Sequence, residues 1–167
     1  MGTMRHTIAI LLQNETGALS RVASMFSTRG YNIESLSVAL TQDPMISRLT
    51  LVTEGEDAVI EQIAKQLYKL IDVIDVLDIT LLDHMEVELM LIKCRLKDRK
   101  KDTLLAFVDA QAGKIISELD GYIIFEIRAD YDSNNDLLKT IEKMVEVVAI
   151  ARSGPLALAK GEVSINL

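Results

Sequence analysis

The fold of this chain is decided by residues 14–36, which read NETGALSRVASMFSTRGYNIESL. An apolar segment that is typical of a β-strand precedes this stretch, at residues 7–12. One apolar stripe then recurs with helical spacing, at Leu19, Val22, Ala23 and Phe26. The spacing predicts a helix over residues 18–29 whose apolar face packs on a sheet. Gly30 follows the last periodic residue, so we expect it to end the helix in a left-handed conformation.

The loop before this helix carries the candidate binding groups. Gly17 allows a tight backbone turn, and the first amides of any helix have no acceptors within the helix. Amides at the positive end of the helix dipole suit a carboxylate, and the side chain of Asn14 both donates and accepts hydrogen bonds. The pattern predicts a binding site for a zwitterionic ligand. An ordinary turn is the alternative, because any strand–loop–helix junction with a glycine offers the same geometry.

The composition restricts the class of protein. The 167 residues are 49% hydrophobic and carry a formal net charge of −7, which argues against binding to nucleic acid or to an anionic membrane surface. No apolar run approaches the roughly 18–20 residues that span a bilayer. Cys94 is the single cysteine, so we expect no internal disulfide and no cysteine metal site. These features predict a cytoplasmic protein that holds no metal.

The rest of the first half reads as strand, strand, helix and strand. These segments are predicted at residues 33–40, 47–53, 57–70 and 73–82. In the last of them, Asp75 and Asp78 are expected on the solvent side. With the opening strand and helix, the order of elements is βαββαβ, which is the ferredoxin-like pattern.

The second half repeats this order. Its strands are predicted at residues 86–95, 114–119, 122–128 and 147–152, with a first helix at residues 102–112 and a further short edge strand at residues 156–159. Asp120 and Gly121 form a strong two-residue hairpin signal. Ser133 or Asn134 is expected to cap the second helix, and residues 97–101 are expected to form a solvated charged loop.

The fold class predicted is therefore α+β, with two ferredoxin-like βαββαβ domains. Their expected boundaries are residues 4–82 and 83–167, with Met4 as the expected natural start. Each domain would carry two helices on one face of a four-stranded antiparallel sheet. The opposite face is too apolar to leave in water, so we expect the two halves to pack together or two chains to pair, and both solutions suggest a dimer.

Most of the chain resembles one known family. The stretch at residues 14–36 is closely similar to the small regulatory subunit of acetohydroxyacid (acetolactate) synthase, in which this segment belongs to an ACT domain, a small ligand-sensing module. The resemblance continues in SRLT at residues 47–50, ELMLIK at residues 88–93 and ARSG at residues 151–154. The first predicted domain therefore resembles an ACT domain.

The resemblance implies an effector site between two chains. Gly17, Ala18 and Leu19 would supply amides to the carboxylate of the effector. Asn14, and Asn32 from the other chain, would bind its ammonium or carboxylate group, and Ile33 with Leu19 would form an apolar wall. Alternatives stay open, because Asn32 also fits a left-handed turn residue after Gly30, and Leu19 and Ile33 also fit a core. Arg21 is expected on the outer face of its helix, in solvent or against a partner.

The function that the resemblance implies is regulation without catalysis. The chain would form a homodimer, paired side by side through the first helix and second strand, and would bind valine, with leucine or isoleucine as further effectors. Its partner would be the catalytic large subunit of acetolactate synthase, which alone would hold thiamine diphosphate, magnesium and FAD. In the second half, which this family uses to activate that partner, Val87 and Gln111-Ala112 depart from the family pattern. A stand-alone ACT-type amino-acid sensor is the alternative.

Other activities are not expected. His6 and His84 are the only histidines and lie in no recognisable catalytic motif, and Cys94 reads as a small buried hydrophobe. An RNA-binding module of this fold needs aromatic residues on its central strands, and the predicted strands at residues 7–12 and 47–53 have none. A metallochaperone of this fold needs a cysteine pair in its first loop, which is also missing.

Overall fold

The computed structural model describes residues 2–96 and 100–165. Its first half contains β1 (Met4–Gln13), α1 (Ala18–Thr28), β2 (Ser35–Leu40), β3 (Ile46–Gly55), α2 (Asp57–Leu67) and β4 (Val73–Asp78). Its second half contains β5 (His84–Arg95), α3 (Lys101–Ala110), β6 (Lys114–Leu119), β7 (Tyr122–Ala129), α4 (Tyr131–Met144), β8 (Glu146–Arg152) and β9 (Leu156–Ala159). Most of the predicted charged loop, residues 97–99, lies outside the described residues.

The two halves share one topology. The strands of the first sheet lie in the order β2-β3-β1-β4, and those of the second in the order β6-β7-β5-β8. The pairings β1–β3, β1–β4 and β2–β3 are antiparallel, as are the corresponding pairings in the second half. This confirms the predicted fold class, α+β with two ferredoxin-like βαββαβ arrangements.

The chain divides into two compact units. The first comprises residues 1–85 with residues 156–167, and the second comprises residues 86–155. The C-terminal segment with β9 thus packs with the first unit, whereas our expected boundary at residue 83 left it with the second half. The domain boundaries of residues 4–82 and 83–167 stay a prediction.

The core of the first unit lies between its sheet and its helices. Buried side chains of the strands and helices form one cluster, made of Ile8, Ile10, Leu12, Val22, Phe26, Leu49, Leu51, Ile60, Ile63 and Leu67. On α1, the buried residues are Ala18, Val22 and Phe26. Leu19 lies one residue, about 100°, round the helix from Ala18 and is 38% exposed. The core interpretation of Leu19 is therefore wrong, whereas Ile33 is partly buried against this cluster.

The face of the first sheet opposite the helices, called the outer face here, is covered by the chain itself. Ala9 and Leu11 on β1 form a second cluster with Ile79, Ala157 and Ile165. Residues near the C-terminus thus shield apolar surface on this face from water.

Two chain reversals follow from local sequence. Gly30 has φ +72°, and its amide donates to Ser27 O while the amide of Tyr31 donates to Phe26 O. This is the Schellman pattern, which confirms the predicted end of α1. Asp120 and Gly121 both have positive φ, as a type I′ hairpin turn requires.

The predicted cap of α4 is wrong. The helix begins after Asp130, whose carboxylate accepts from the amide and the hydroxyl of Ser133, both at 2.8 Å. Asn134 is instead fully buried. An aspartate three residues before a serine is as good a cap as Ser133 or Asn134, and the alignment of the apolar helix face with the core decides between them.

Two polar residues of the first unit are more buried than their sequence indicates. His6 lies in the central strand β1 and is 1% exposed. Its Nδ1 lies 3.0 Å from Oδ2 of Asp78, and its Nε2 lies 3.6 Å from Oδ1 of Asp57. Asp78 therefore contacts a buried imidazole, which corrects its expected position on the solvent side of β4.

Among the described residues, none of the helices combines the length and apolar character needed to cross a membrane.

The second unit has its own core with a buried ion pair beside it. Cys94 is fully buried in this core, which confirms the prediction of a small buried hydrophobe, and its burial raises the thiol pKa to about 11. Glu88 is 2% exposed and accepts from Arg152 at 3.0 and 2.6 Å. Asn134 donates to the same carboxylate at 3.1 Å. This network joins β5, β8 and α4.

Candidate effector site

The start of α1 presents unpaired backbone amides. Gly17 precedes the helix with φ +87° and ψ −5°, and no side chain caps the helix. The amide of Ala18 donates to Glu15 O at 3.1 Å, so it is already engaged. In the part of the chain that the structure describes, no backbone or side-chain acceptor pairs with the amides of Gly17, Leu19 or Ser20. Free N–H groups at the positive end of a helix form a seat for an anion.

Arg21 adds a cation to this seat. Its Nε donates to Oδ2 of Asp72, and its Nη2 lies 3.5 Å from Thr16 O. A Cβ built on Gly17 would lie 2.9 Å from Nη1 of Arg21. The guanidinium therefore lies beside the loop, which corrects the expectation that Arg21 is simply solvated or directed to a partner. The hydrogen bond to Arg21 lowers the pKa of Asp72, so this aspartate stays ionised and holds the guanidinium in place.

Asn14 ties the same loop to a neighbouring turn. Its amide donates to Met45 O at 2.7 Å, and its side-chain Nδ2 donates to Pro44 O at 3.1 Å. The hydroxyl of Ser47 lies 3.5 Å from Oδ1 of Asn14. Asn14 is exposed, and its side chain holds the loop against the turn at Pro44.

Asn32 and Ile33 lie at the other end of α1. The helix has 11 residues and is therefore about 16 Å long, at 1.5 Å per residue. Within one chain, the structure thus groups Asn14, Gly17, Ala18 and Leu19 but does not bring Asn32 and Ile33 to them. A single site that contains both groups needs two chains.

Asn32 is oriented by its backbone and keeps its side chain available. The hydroxyl of Thr53 donates to Asn32 O at 2.6 Å. The described non-glycine residues with positive φ are Ala112 and Asp120, so the left-handed interpretation of Asn32 is wrong. Asn32 is exposed, and within the described ranges its side-chain amide has no hydrogen-bond partner.

The edge strand β2 presents apolar side chains. Leu36 pairs with Leu51 and Val38 pairs with Leu49, so all four side chains point to the helix side of the sheet. Leu49 and Leu51 are fully buried, whereas Leu36 is 37% and Val38 44% exposed. An edge strand with exposed apolar residues and unpaired backbone groups is suited to contact another chain.

Sequence reasoning missed Arg21 and Asp72 as residues of this site. Their contact joins positions 51 apart in the chain, and no local pattern predicts it. Within residues 2–96 and 100–165, no cluster of three or more His, Cys, Asp or Glu side chains could hold a metal ion.

Comparison with known proteins identifies the family. A family model described as an AHAS small subunit-like ACT domain matches residues 8–75, and one described as the small subunit of acetolactate synthase matches residues 87–161. Related proteins include the acetolactate synthase small subunit of Buchnera aphidicola subsp. Schizaphis graminum, 40% identical over 95% of this chain and 100% of the relative. The isozyme 3 small subunit of Escherichia coli K12 is 40% identical over 95% of this chain and 98% of the relative.

A solved structure agrees over the whole length. The crystal structure of the acetolactate synthase small subunit from Thermotoga maritima has a TM-score of 0.86 and 34% identity, and covers 96% of this chain and 99% of that chain. The matches confirm the predicted resemblance, and they agree with a non-catalytic subunit because each of these relatives is named as a small subunit. The chain belongs to the family of acetolactate synthase small subunits.

Proposed function

We propose that this chain regulates acetolactate synthase by binding valine between two copies of its first unit. The observation that carries the proposal is at the start of α1, where the amides of Gly17, Leu19 and Ser20 have no acceptor among the described residues. The carboxylate of the amino acid accepts from these amides, and the charge of Arg21 favours the anion further. The exposed side chain of Leu19 contacts the aliphatic part of the ligand.

The other half of the site comes from the second copy. Asn32 of that copy offers a free side-chain amide, whose oxygen accepts from the ammonium group of the amino acid. Ile33 adds apolar surface. The exposed Leu36 and Val38 on β2 support a homodimer in which the two copies pair through α1 and β2. Because the ligand contacts both copies, its binding favours one geometry of the dimer.

The proposed partner is the catalytic large subunit, which holds thiamine diphosphate, magnesium and FAD and which this chain activates. Feedback inhibition requires a coupling free energy between valine and the catalytic subunit, typically about 1–3 kcal/mol. We place the whole assembly in the cytoplasm. Activation is assigned to the second unit as a whole and to no particular residue in it.

Reconstitution tests the proposal. Acetolactate synthase activity of the cognate large subunit is measured alone, with this chain, and with this chain plus valine. We expect the chain to raise activity and valine to reverse the increase. No change on adding the chain would contradict the proposal and would favour the second candidate, a stand-alone ACT-type sensor, which valine would still bind in calorimetry.

A further inference from the structure

A cavity on the outer face of the first sheet contains a cation, Arg48, that forms no ion pair with any described residue. The cavity has a volume of about 310 Å³, and its walls combine apolar side chains with two neutral polar residues, Leu11, Leu40, Leu158 and Ile165 with Thr41 and Gln42. Arg48 on β3 provides the charge, because it pairs with Leu11 across the sheet and so points to the same face. All of these residues belong to the first unit.

Most N–H donors of the Arg48 side chain have no acceptor among the described residues. Its Nη2 donates to Ala157 O at 2.9 Å, which leaves four of its five N–H donors. Within residues 2–96 and 100–165, no carboxylate forms an ion pair with Arg48. Desolvation lowers the pKa of this guanidinium, so the charge is held at a cost. A half-buried cation with apolar walls is stabilised by an anion that brings its own apolar part.

The residues that line the cavity also indicate that the anion carries no ammonium group. Among the described residues that line the cavity, none is acidic, so none of them would neutralise an ammonium group. The hydroxyl of Thr41, which also lines the cavity, already donates to Asp43 O at 3.0 Å. A cavity of this volume lies at the lower end of the range for small-molecule sites, about 300–1,000 Å³.

We propose that this cavity binds a small monocarboxylate with a short aliphatic group and no ammonium group, through hydrogen bonds from Arg48 to the carboxylate. The site is separate from the amides of Gly17, Leu19 and Ser20, which we assign to an amino acid.

Calorimetric titration of the full chain with 3-methylbutanoate tests this proposal. We expect one saturable site per chain, an affinity at least tenfold lower in Arg48→Gln, and an unchanged affinity in Arg29→Gln. Arg29 is a matched control because it is exposed and donates to Gln66 instead. Leu158→Glu is the second variant. Because Leu158 is 63% exposed, the protein should still fold with this substitution, which places a carboxylate beside Arg48. Equal binding by wild type and both cavity variants would overturn the proposal.

Two further arms separate the sources of the carboxylate. Saturating valine should not displace 3-methylbutanoate, and displacement would show that the probe occupies the amino-acid seat and would overturn a separate site. A variant that ends at Ile165 is titrated in parallel. If that variant binds the probe through Arg48 and the full chain does not, the cavity is not available to a free carboxylate in the full chain, and the proposal is overturned. Binding by neither protein contradicts the assignment.

Discussion

Arg21 on α1 donates through Nε to Oδ2 of Asp72, and the two atoms lie 2.5 Å apart. The side chain of Asp72 is 6% exposed, whereas that of Arg21 is 46% exposed. The aspartate is therefore held within the protein, and the more exposed arginine side chain extends to it. The contact links the end of the α2–β4 connection to the loop where we place the effector carboxylate.

We expect the ion pair of Arg21 and Asp72 to make the free energy of unfolding depend on pH in the acid range. The pKa of Asp72 is lowered from its ordinary value of 3.8, mainly by the hydrogen bond from Arg21. Because the folded-state pKa is depressed, the stabilisation is present above the ordinary value and is lost as pH falls through the lowered one. Asp72→Asn should therefore reduce the free energy of unfolding at neutral pH, and the difference from wild type should vanish in strong acid.

Urea unfolding across this pH range measures the effect. Glu61→Gln serves as the control, because Glu61 is 75% exposed in its pair with Lys65 and should change little. A constant difference between wild type and Asp72→Asn at every pH would argue that the pair does not titrate as we describe.

Gly17→Asp should abolish valine binding without unfolding the protein. A carboxylate at this position would meet the guanidinium of Arg21 and occupy the anion seat, and aspartate tolerates positive φ better than most residues. Gly17→Asn has nearly the same shape without the charge, so it should keep a larger part of the affinity. Calorimetric titration with valine compares the two variants, and equal affinity in Gly17→Asp and wild type would refute the seat.

Asn14→Ala should weaken valine inhibition but leave activation of the large subunit intact. The variant loses the hydrogen bond from Nδ2 to Pro44 O, so we also expect a stability loss of about 0.5–1.5 kcal/mol. Activity of the reconstituted enzyme with and without valine separates these effects. Loss of activation together with inhibition would mean that Asn14 is needed for folding and does not act in sensing.

The fold was predictable because its signals are local. Helical spacing, Gly17 and Gly30 define α1, and the Asp120-Gly121 turn defines the second hairpin. The errors concern contacts that local sequence does not determine. Arg21 reaches Asp72 and the C-terminal segment covers Ala9 only after the chain has folded, and the cap of α4 depends on which helix face meets the core.

Arg152→Met should strongly destabilise the second unit. The variant leaves the buried carboxylate of Glu88 without its cation, a change that typically costs about 3–5 kcal/mol. Arg95→Met is the control, since Arg95 and Glu146 are each 49% exposed and such pairs contribute about 0–1 kcal/mol. Thermal unfolding of both variants measures the difference, and similar losses in the two would contradict the role given to Glu88.

A mixture of two inactive variants tests most directly whether one amino acid binds across two chains. Gly17→Asp and Asn32→Ala each damage one half of every site, so neither homodimer should bind valine. A dimer with one chain of each kind carries one intact site, so a randomly reassembled equal mixture should regain about a quarter of the wild-type sites. Calorimetric titration of that mixture counts the sites. Recovery of this fraction is the result that we predict, and a mixture as inactive as its components would contradict the shared site.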